Sequence, residues 1–565
     1  MKLIHRRCLP NFLVILFVPL LCIVLYFPFL KNGIVFDDHG LFSSLVVYDY
    51  SYTPFDFRPR TFPYFTLGFI QVLYGSIEAN RIFSLILHIA CASILFLLLT
   101  SLLNQALKVS GFASSNNSHD FKVQILATVA VIWFAIHPIA VYGAAYLAQR
   151  TILFATLFSL ISLWFYRRGF AENRTSDIVA AAFFYSVAVF SKEHAIMLPV
   201  TAVALTSLYD GNFRSHFKRI LLFLALCTPA AITVYLAAKH VIATSYEPDV
   251  GTMITRLQDI SFVDQPLGQW FVSMVVQAGF FFDYLAFWLV PDVRFLSADM
   301  RFDFIHIWSS WWSFPKAFLF LLSPIIAIYF LRKKGLVALF CCGFLYCWIL
   351  FLTELAAVRF QEPFVLYRSY LWAPGYVIMI AALCARVPLR GLVTVAIPLF
   401  LILFSLSRDR LTSLATEASV WKDAASKLTS PSLIGSDRVF YNRGRAYLQE
   451  RRYAEAIDDF SRVIQMSPKI SQAYYNRALA FYAIKKDSEA LQDLDLTASI
   501  NQKDSSTQYV RGMIFERSGC MLAASKAYSE SLKLGYLMAS MKLEQLAKNT
   551  LENEAHLSPG IKCPV

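Results

Sequence analysis

The chain is a succession of apolar runs close to the length of a bilayer span, separated by short loops that hold most of its charge. A helix needs ~20 residues to cross a ~30 Å hydrocarbon core, and Phe12–Leu30 is the first run of that length. Only helices and closed barrels satisfy their backbone polar groups in lipid. Repeated runs of this kind therefore predict a polytopic helix bundle. Composition agrees: 57% of the 565 residues are hydrophobic and 16% are charged, against about 25% charged in ordinary soluble domains. The net charge of +13 comes from Lys and Arg clustered in short loops, which is how orientation is encoded, and it does not call for nucleic acid. Met1–Arg7 has the basic character of a signal-peptide start. No small-residue cleavage site follows and the run is long enough to span, so it reads as a retained first helix.

Loop charge puts the N-terminus in the cytoplasm and predicts eleven spans. They are Phe12–Leu30, Arg81–Leu103, Phe121–Tyr142, Thr151–Tyr166, the paired limbs Ile178–Phe190 and Ala195–Leu208, Ile220–Ala238, Phe318–Leu331, Val337–Phe351, Tyr370–Cys384 and Leu392–Ser405. Trp270–Val290 is apolar enough to span, but Asp283 interrupts it, and it reads as a re-entrant or interface-lying segment. Trp308, Trp311 and Trp312 form an aromatic interface cluster. Cys341, Cys342 and Cys347 lack metal-ligand spacing and read as packing residues. An odd number of spans places the C-terminal part on the outer side. Asn116-Asn117-Ser118 is a glycosylation sequon by pattern, but falls on the inner side.

Beyond residue 436 the sequence repeats with a period of 34, over 437–470, 471–504 and 505–538. Tyr441-Asn442-Arg443 recurs as Tyr475-Asn476-Arg477, and Ala456, Ala490 and Ala524 share a register with one another. This period and pattern are those of tetratricopeptide repeats, whose paired helices stack into a concave surface. The expected architecture is all-α. A membrane domain occupies 1–410, with a first outer loop at 31–80. A linker or partial repeat follows at 411–436, then three repeats at 437–538 and a tail at 539–565. Tyr441, Asn442, Arg443, Asn476 and Arg477 are the candidate acceptor-binding residues of the repeats. A packing or dimerisation module is the alternative use of that region.

The outer loops supply the chemistry. Asp37 and Asp38 stand directly after the first apolar run, where a carboxylate must be solvated, paired or useful. The limbs around Ser191-Lys192-Glu193-His194 are short, which puts four polar residues at membrane depth, facing protein or a water-filled cavity. Arg58, His137, Arg150, Lys192, Glu193 and Arg368 come from separate loops at the same face, and their cations suit a phosphate. One of the two Asp residues would act as general base. Taken singly, each cation is also a snorkelling interface residue, and the acid pair is also a solvated turn.

Phe36-Asp37-Asp38-His39, Arg58-Pro59, Asn80-Arg81 through His88, His137-Pro138 with Gln149-Arg150, Ser191-Lys192-Glu193 with Leu198-Pro199, and Tyr370-Leu371-Trp372-Ala373-Pro374 occur in an order that resembles the GT-C superfamily of membrane glycosyltransferases. More narrowly, they resemble its transmembrane and tetratricopeptide-repeat-containing O-mannosyltransferase-like members and their bacterial relatives. The family's late motif carries Glu-Arg where this chain has Arg368-Ser369. The resemblance implies a polyprenyl-phosphate sugar donor bound through Arg58, His137, Arg150, Lys192, Glu193 and Arg368, with Asp38 as base and Asp37 in support. It implies an exported protein acceptor on the repeats, in a bacterial inner membrane with the repeats in the periplasm. No cofactor is required by this reading, and a divalent cation at Asp37 and Asp38 stays open. The alternatives are transfer to a lipid or surface glycan, or a non-catalytic scaffold that presents the repeats.

Overall fold

The computed structural model describes residues 16–552 apart from 44–45, 54–57, 111–116, 210–212, 246, 248–250, 252–253, 256 and 258–262. Met1–Arg7, Asn116 and the tail beyond 552, all used in the sequence reading, lie outside the described residues. These residues form helices, turns and irregular segments without strand. The chain divides into two units, Met1–Thr429 and Ser430–Val565. The boundary falls inside the stretch read as linker.

Among the described residues of the first unit, seven helices are long and apolar enough to cross a membrane: Ile77–Val109, Leu147–Ala171, His216–Val241, Pro266–Leu289, Ser313–Leu331, Gly335–Ala356 and Leu389–Ser413. An eighth arises if Asp120–Ala135 and Pro138–Ala144 are one span, bent by 64° at its break. The bend has a local cause. Pro138 removes a backbone donor, and His137 caps the second limb by accepting the Ile139 amide at 3.2 Å. Four apolar helices, Leu16–Phe29, Thr175–Ser191, Glu193–Leu208 and Ala373–Cys384, are shorter. The helices differ from the eleven expected spans in length and continuity, since run length does not register where a helix breaks.

The Pro266–Leu289 helix is unbroken, and Asp283 does not interrupt it because Lys316 of the next helix pairs with that carboxylate at 3.4 Å. Its two ends are held by one segment: Trp270 donates to the Leu355 carbonyl at 2.7 Å and Trp288 to Ser369 at 3.0 Å. The most apolar stretches of Ser313–Leu331 and Leu389–Ser413 are each only 17% buried. Their Leu321, Ile325, Val395 and Leu401 project outward. Gly343 and Gly375 let two helices touch by backbone: a Cβ on either would lie 2.5 Å from the other's carbonyl oxygen. Cys341, Cys342 and Cys347 are buried free thiols.

The second unit stacks three helix pairs: Ser436–Gln449 with Tyr453–Met466, Ser471–Ala483 with Asp487–Ile500, and Ser505–Arg517 with Met521–Lys533. Met538–Glu552 follows. Facing positions are complementary in size. Gly444 faces Phe460 and Gly512 faces Tyr528, with no room for a Cβ, whereas Ala478 shares a core with the smaller Leu494. Ala456, Ala490 and Ala524 are fully buried.

Candidate functional site

The turn after the first apolar helix is fixed from several sides. Asn32 donates to the Leu411 carbonyl at 3.1 Å, and the Gly33 amide to that of Ala415 at 2.9 Å. Arg81 donates to the Gly33 carbonyl and, at 2.6 Å, to that of Ala145. Phe36 adopts a left-handed conformation, φ +53°, uncommon for a bulky residue, and its amide donates to Glu417 Oε2 at 3.0 Å. The Asp37 amide donates to the Tyr146 hydroxyl at 3.1 Å.

A seven-residue helix, Asp37–Ser43, begins on the acid pair. Consecutive helical side chains diverge by about 100°, so Asp37 is exposed and Asp38 is fully buried. Asp38 Oδ1 accepts the Ala148 amide at 2.8 Å, while Oδ2 has no hydrogen-bond partner among the described residues. Burial pushes the Asp38 carboxyl up to about 7; Arg81 and the Ala148 and Leu147 amides oppose this and Asp37 adds to it. The divergence also argues against a shared divalent cation. Among the described residues no group of three or more His, Cys, Asp or Glu comes together to hold a metal, and we derive no step through one.

A second network lies on the 193–197 and 354–370 turns. Arg60 makes a two-pronged bond to Glu193. His194 lies 3.4 Å from Glu193 and 3.2 Å from Glu354. Arg359 and Arg368 both pair with Glu354, Arg368 at 2.9 Å. The Lys192 side chain is 7% exposed and makes no ion pair among the described residues, although Arg60, Glu193, Arg368 and Glu354 all act on it electrostatically. Four cations thus face two carboxylates, with His194 between them. Tyr64 joins the two networks, interacting with Arg60, Glu193 and Asp37. So does Tyr146, whose ring lies 6.0 Å from Tyr367, over which Arg368 sits.

Of the expected site residues, Lys192, Glu193 and Arg368 lie together in this network, while others are engaged differently. Arg58 is exposed, and Arg60, two residues on, is the cation that reaches Glu193. His137 is buried, stacked on Trp288 at 4.3 Å and beside Trp133 at 5.8 Å, so it builds the core. Arg150 is buried with its guanidinium on Asn80, Ser84 and Thr66, and it acts on Asp38 electrostatically. Glu354 and Arg359 are not among the expected site residues, and His194 is expected only as one of four polar residues at membrane depth. Their signal was present as charges at the polar breaks next to apolar runs.

In the repeats, Arg443 forms a bidentate pair with Asp459 at 2.6 and 2.7 Å, and Arg477 repeats it with Asp493. These arginines tie the two helices of their own repeat. Tyr441 accepts from Asn476 at 3.1 Å, linking consecutive repeats. Asn442 is half-buried. The expected acceptor-binding set is thus mostly internal scaffolding. The third repeat has Ala527 where the acid should be, and Arg511 turns back to Asp495 at 2.8 Å.

These helix pairs define a repeat module of the tetratricopeptide class, and the family model described as tetratricopeptide repeat matches residues 441–505. No curated protein matches the chain. Among solved structures, the first TPR of Spaghetti (RPAP3) bound to HSP90 peptide SRMEEVD is 24% identical and covers 20% of this chain and 93% of that one, with a TM-score of 0.20. The APC/C hetero-tetramer Cut9-Hcn1 is 13% identical and covers 89% of this chain and 99% of that one, with a TM-score of 0.23. Scores this low carry no argument, and the repeat assignment rests on the family match and the 34-residue register.

Proposed function

We propose that this chain is an integral membrane glycosyltransferase that moves a sugar from a polyprenyl-phosphate donor to a Ser or Thr hydroxyl of an exported protein. The observation that carries the reading is the junction of the acid turn with a network of four cations and two carboxylates. Outward-facing apolar helices support embedding in lipid, which would bring the donor's phosphate to the level of these turns. In the reaction, the acceptor oxygen bonds to the sugar carbon as the carbon–phosphate-oxygen bond breaks. The electron pair leaves with the phosphate, where Lys192, Arg60 and Arg368 balance its charge. The acceptor proton passes to a carboxylate, a contribution of about 100 to 10,000-fold. The resemblance favours Asp38 as that base, but burial favours Asp37 as the carboxylate that meets an incoming hydroxyl, with Asp38 behind it. The proposed location is a bacterial inner membrane with periplasmic repeats.

The test is intact-mass spectrometry of exported proteins from strains with the unaltered gene, a deletion, Asp37→Asn or Asp38→Asn. A protein that loses a sugar-sized mass in the altered strains identifies acceptor, sugar and catalytic turn together. Full transfer by both substituted proteins would sink the assignment. The engagement of Arg443 and Arg477 inside their own repeats favours a second reading, transfer to a lipid or surface glycan. It predicts unchanged protein masses and an altered glycan.

A further inference from the structure

We propose that Glu417, held by Trp421, is a positioning residue that sets the acid turn from the far end of the first unit; this rests on reading Asp37 and Asp38 as the reacting carboxylates. The helix Glu417–Ser426 begins with a capping box in which Thr416 and Ser419 satisfy each other's amides, which fixes the first-turn side chains. Both oxygens of Glu417 are engaged. Oε2 accepts the Phe36 amide at 3.0 Å and lies 3.5 Å from His39 Nε2. Oε1 accepts the Trp421 indole N–H at 2.6 Å. Trp421 is 2% exposed, and its ring lies 4.5 Å from that of Phe36.

The geometry makes this contact specific to the acid pair. Phe36 is the residue before Asp37, and its left-handed backbone is strained. A charge-assisted bond to its amide is among the stronger hydrogen bonds and offsets the cost of that conformation. The Gly33–Ala415 and Asn32–Leu411 bonds anchor the turn to the same corner. Releasing Phe36 lets the turn relax, and the first group to feel it is Asp38, whose burial depends on that turn. The groups that face Asp38 are Arg81, Arg150, Asp37 and Tyr146; Trp421→Phe changes no charge, so a shift it causes reaches Asp38 through the turn. Water admitted to Asp38 would favour its charged form and lower its protonation midpoint.

The experiment uses the full chain in membranes, with Glu417→Gln and Trp421→Phe. Trp421→Phe keeps an aromatic ring beside Phe36 and removes the N–H that orients Glu417, together with part of the buried indole. The readout is labelling of Asp38 by dicyclohexylcarbodiimide, which attacks protonated buried carboxyls, followed across pH by peptide mass spectrometry with Asp38→Asn as blank. We expect each variant to lower the labelling midpoint by one pH unit or more and to cut transfer at least tenfold. An unchanged midpoint in a variant present at normal abundance overturns the proposal. If Glu417→Gln does not accumulate, Trp421→Phe decides alone. If the midpoint moves while Asp38→Asn retains transfer, the positioning stands and the catalytic reading of the pair falls.

Discussion

Arg368 Nη1 donates to Glu354 Oε2 at 2.9 Å, and Arg359 donates to the same oxygen. His194 stands 3.2 Å from the other one. Glu354, 2% exposed, is therefore a carboxylate that both arginines share. Removing one partner of a buried pair costs about 3–5 kcal/mol, since the other is left uncompensated. Glu354→Gln should lower the melting temperature of the detergent-solubilised protein more than Arg359→Gln, which leaves Arg368 to hold the acid. Equal effects would show that Glu354 is not the hub.

Stability should depend on pH through Asp38. Its folded carboxyl is raised to about 7 by burial, whereas the unfolded value is about 3.9. Between these values the folded state binds a proton that the unfolded state does not. The contribution is thus fully present below about pH 4 and is lost as pH rises through 7. Asp38→Asn lacks this dependence. Its melting temperature relative to the unaltered protein should climb between pH 4 and 7. A constant difference would place Asp38 in contact with water.

The arginine clamps give a graded test within one domain. Arg443→Ala and Arg477→Ala each remove a bidentate pair to a nearly buried acid and should cost roughly 1.5–3 kcal/mol. Arg511→Ala removes a pair whose acid is 61% exposed, worth about 0–1 kcal/mol. Urea titration of the three variants should rank them in that order.

Close helix crossing predicts an asymmetric glycine result. Gly343→Ala sets a methyl 2.5 Å from the Gly375 carbonyl and should cost about 1–3 kcal/mol by overpacking. Gly391→Ala meets nothing nearer than 3.8 Å and gains helix propensity of about 1 kcal/mol. Thermal melts that fail to separate the two would show that the crossing yields easily.

The all-α character and the repeat register were readable because each depends on local spacing: apolar run length in one case, the 34-residue recurrence of Arg443 and Arg477 in the other. The role of those arginines was not read: the recurrence marks them as candidate acceptor-binding residues, whereas each pairs with the Asp 16 positions on. The site was legible only in outline. Lys192 and Glu193 stood out as charges inside an apolar hairpin, but Arg60 in place of Arg58, and Glu354 as the hub, depend on turns far apart in sequence. His137 misled for the same reason: its Trp133 and Trp288 neighbours are tertiary, and a histidine before proline looks equally like a cap or a ligand. Trp421, inside the stretch expected as a linker or partial repeat, packs on Phe36, which helical spacing alone does not announce.

The Phe36 amide has its partner 381 positions away, and this has a consequence for the order of synthesis. A ribosome that has completed Asp37 and Asp38 must add nearly the whole first unit before Glu417 exists to hold the turn. The nascent chain therefore carries its two carboxylates through assembly in an unfinished arrangement. The acid pair takes its final form only when the last helix of that unit arrives.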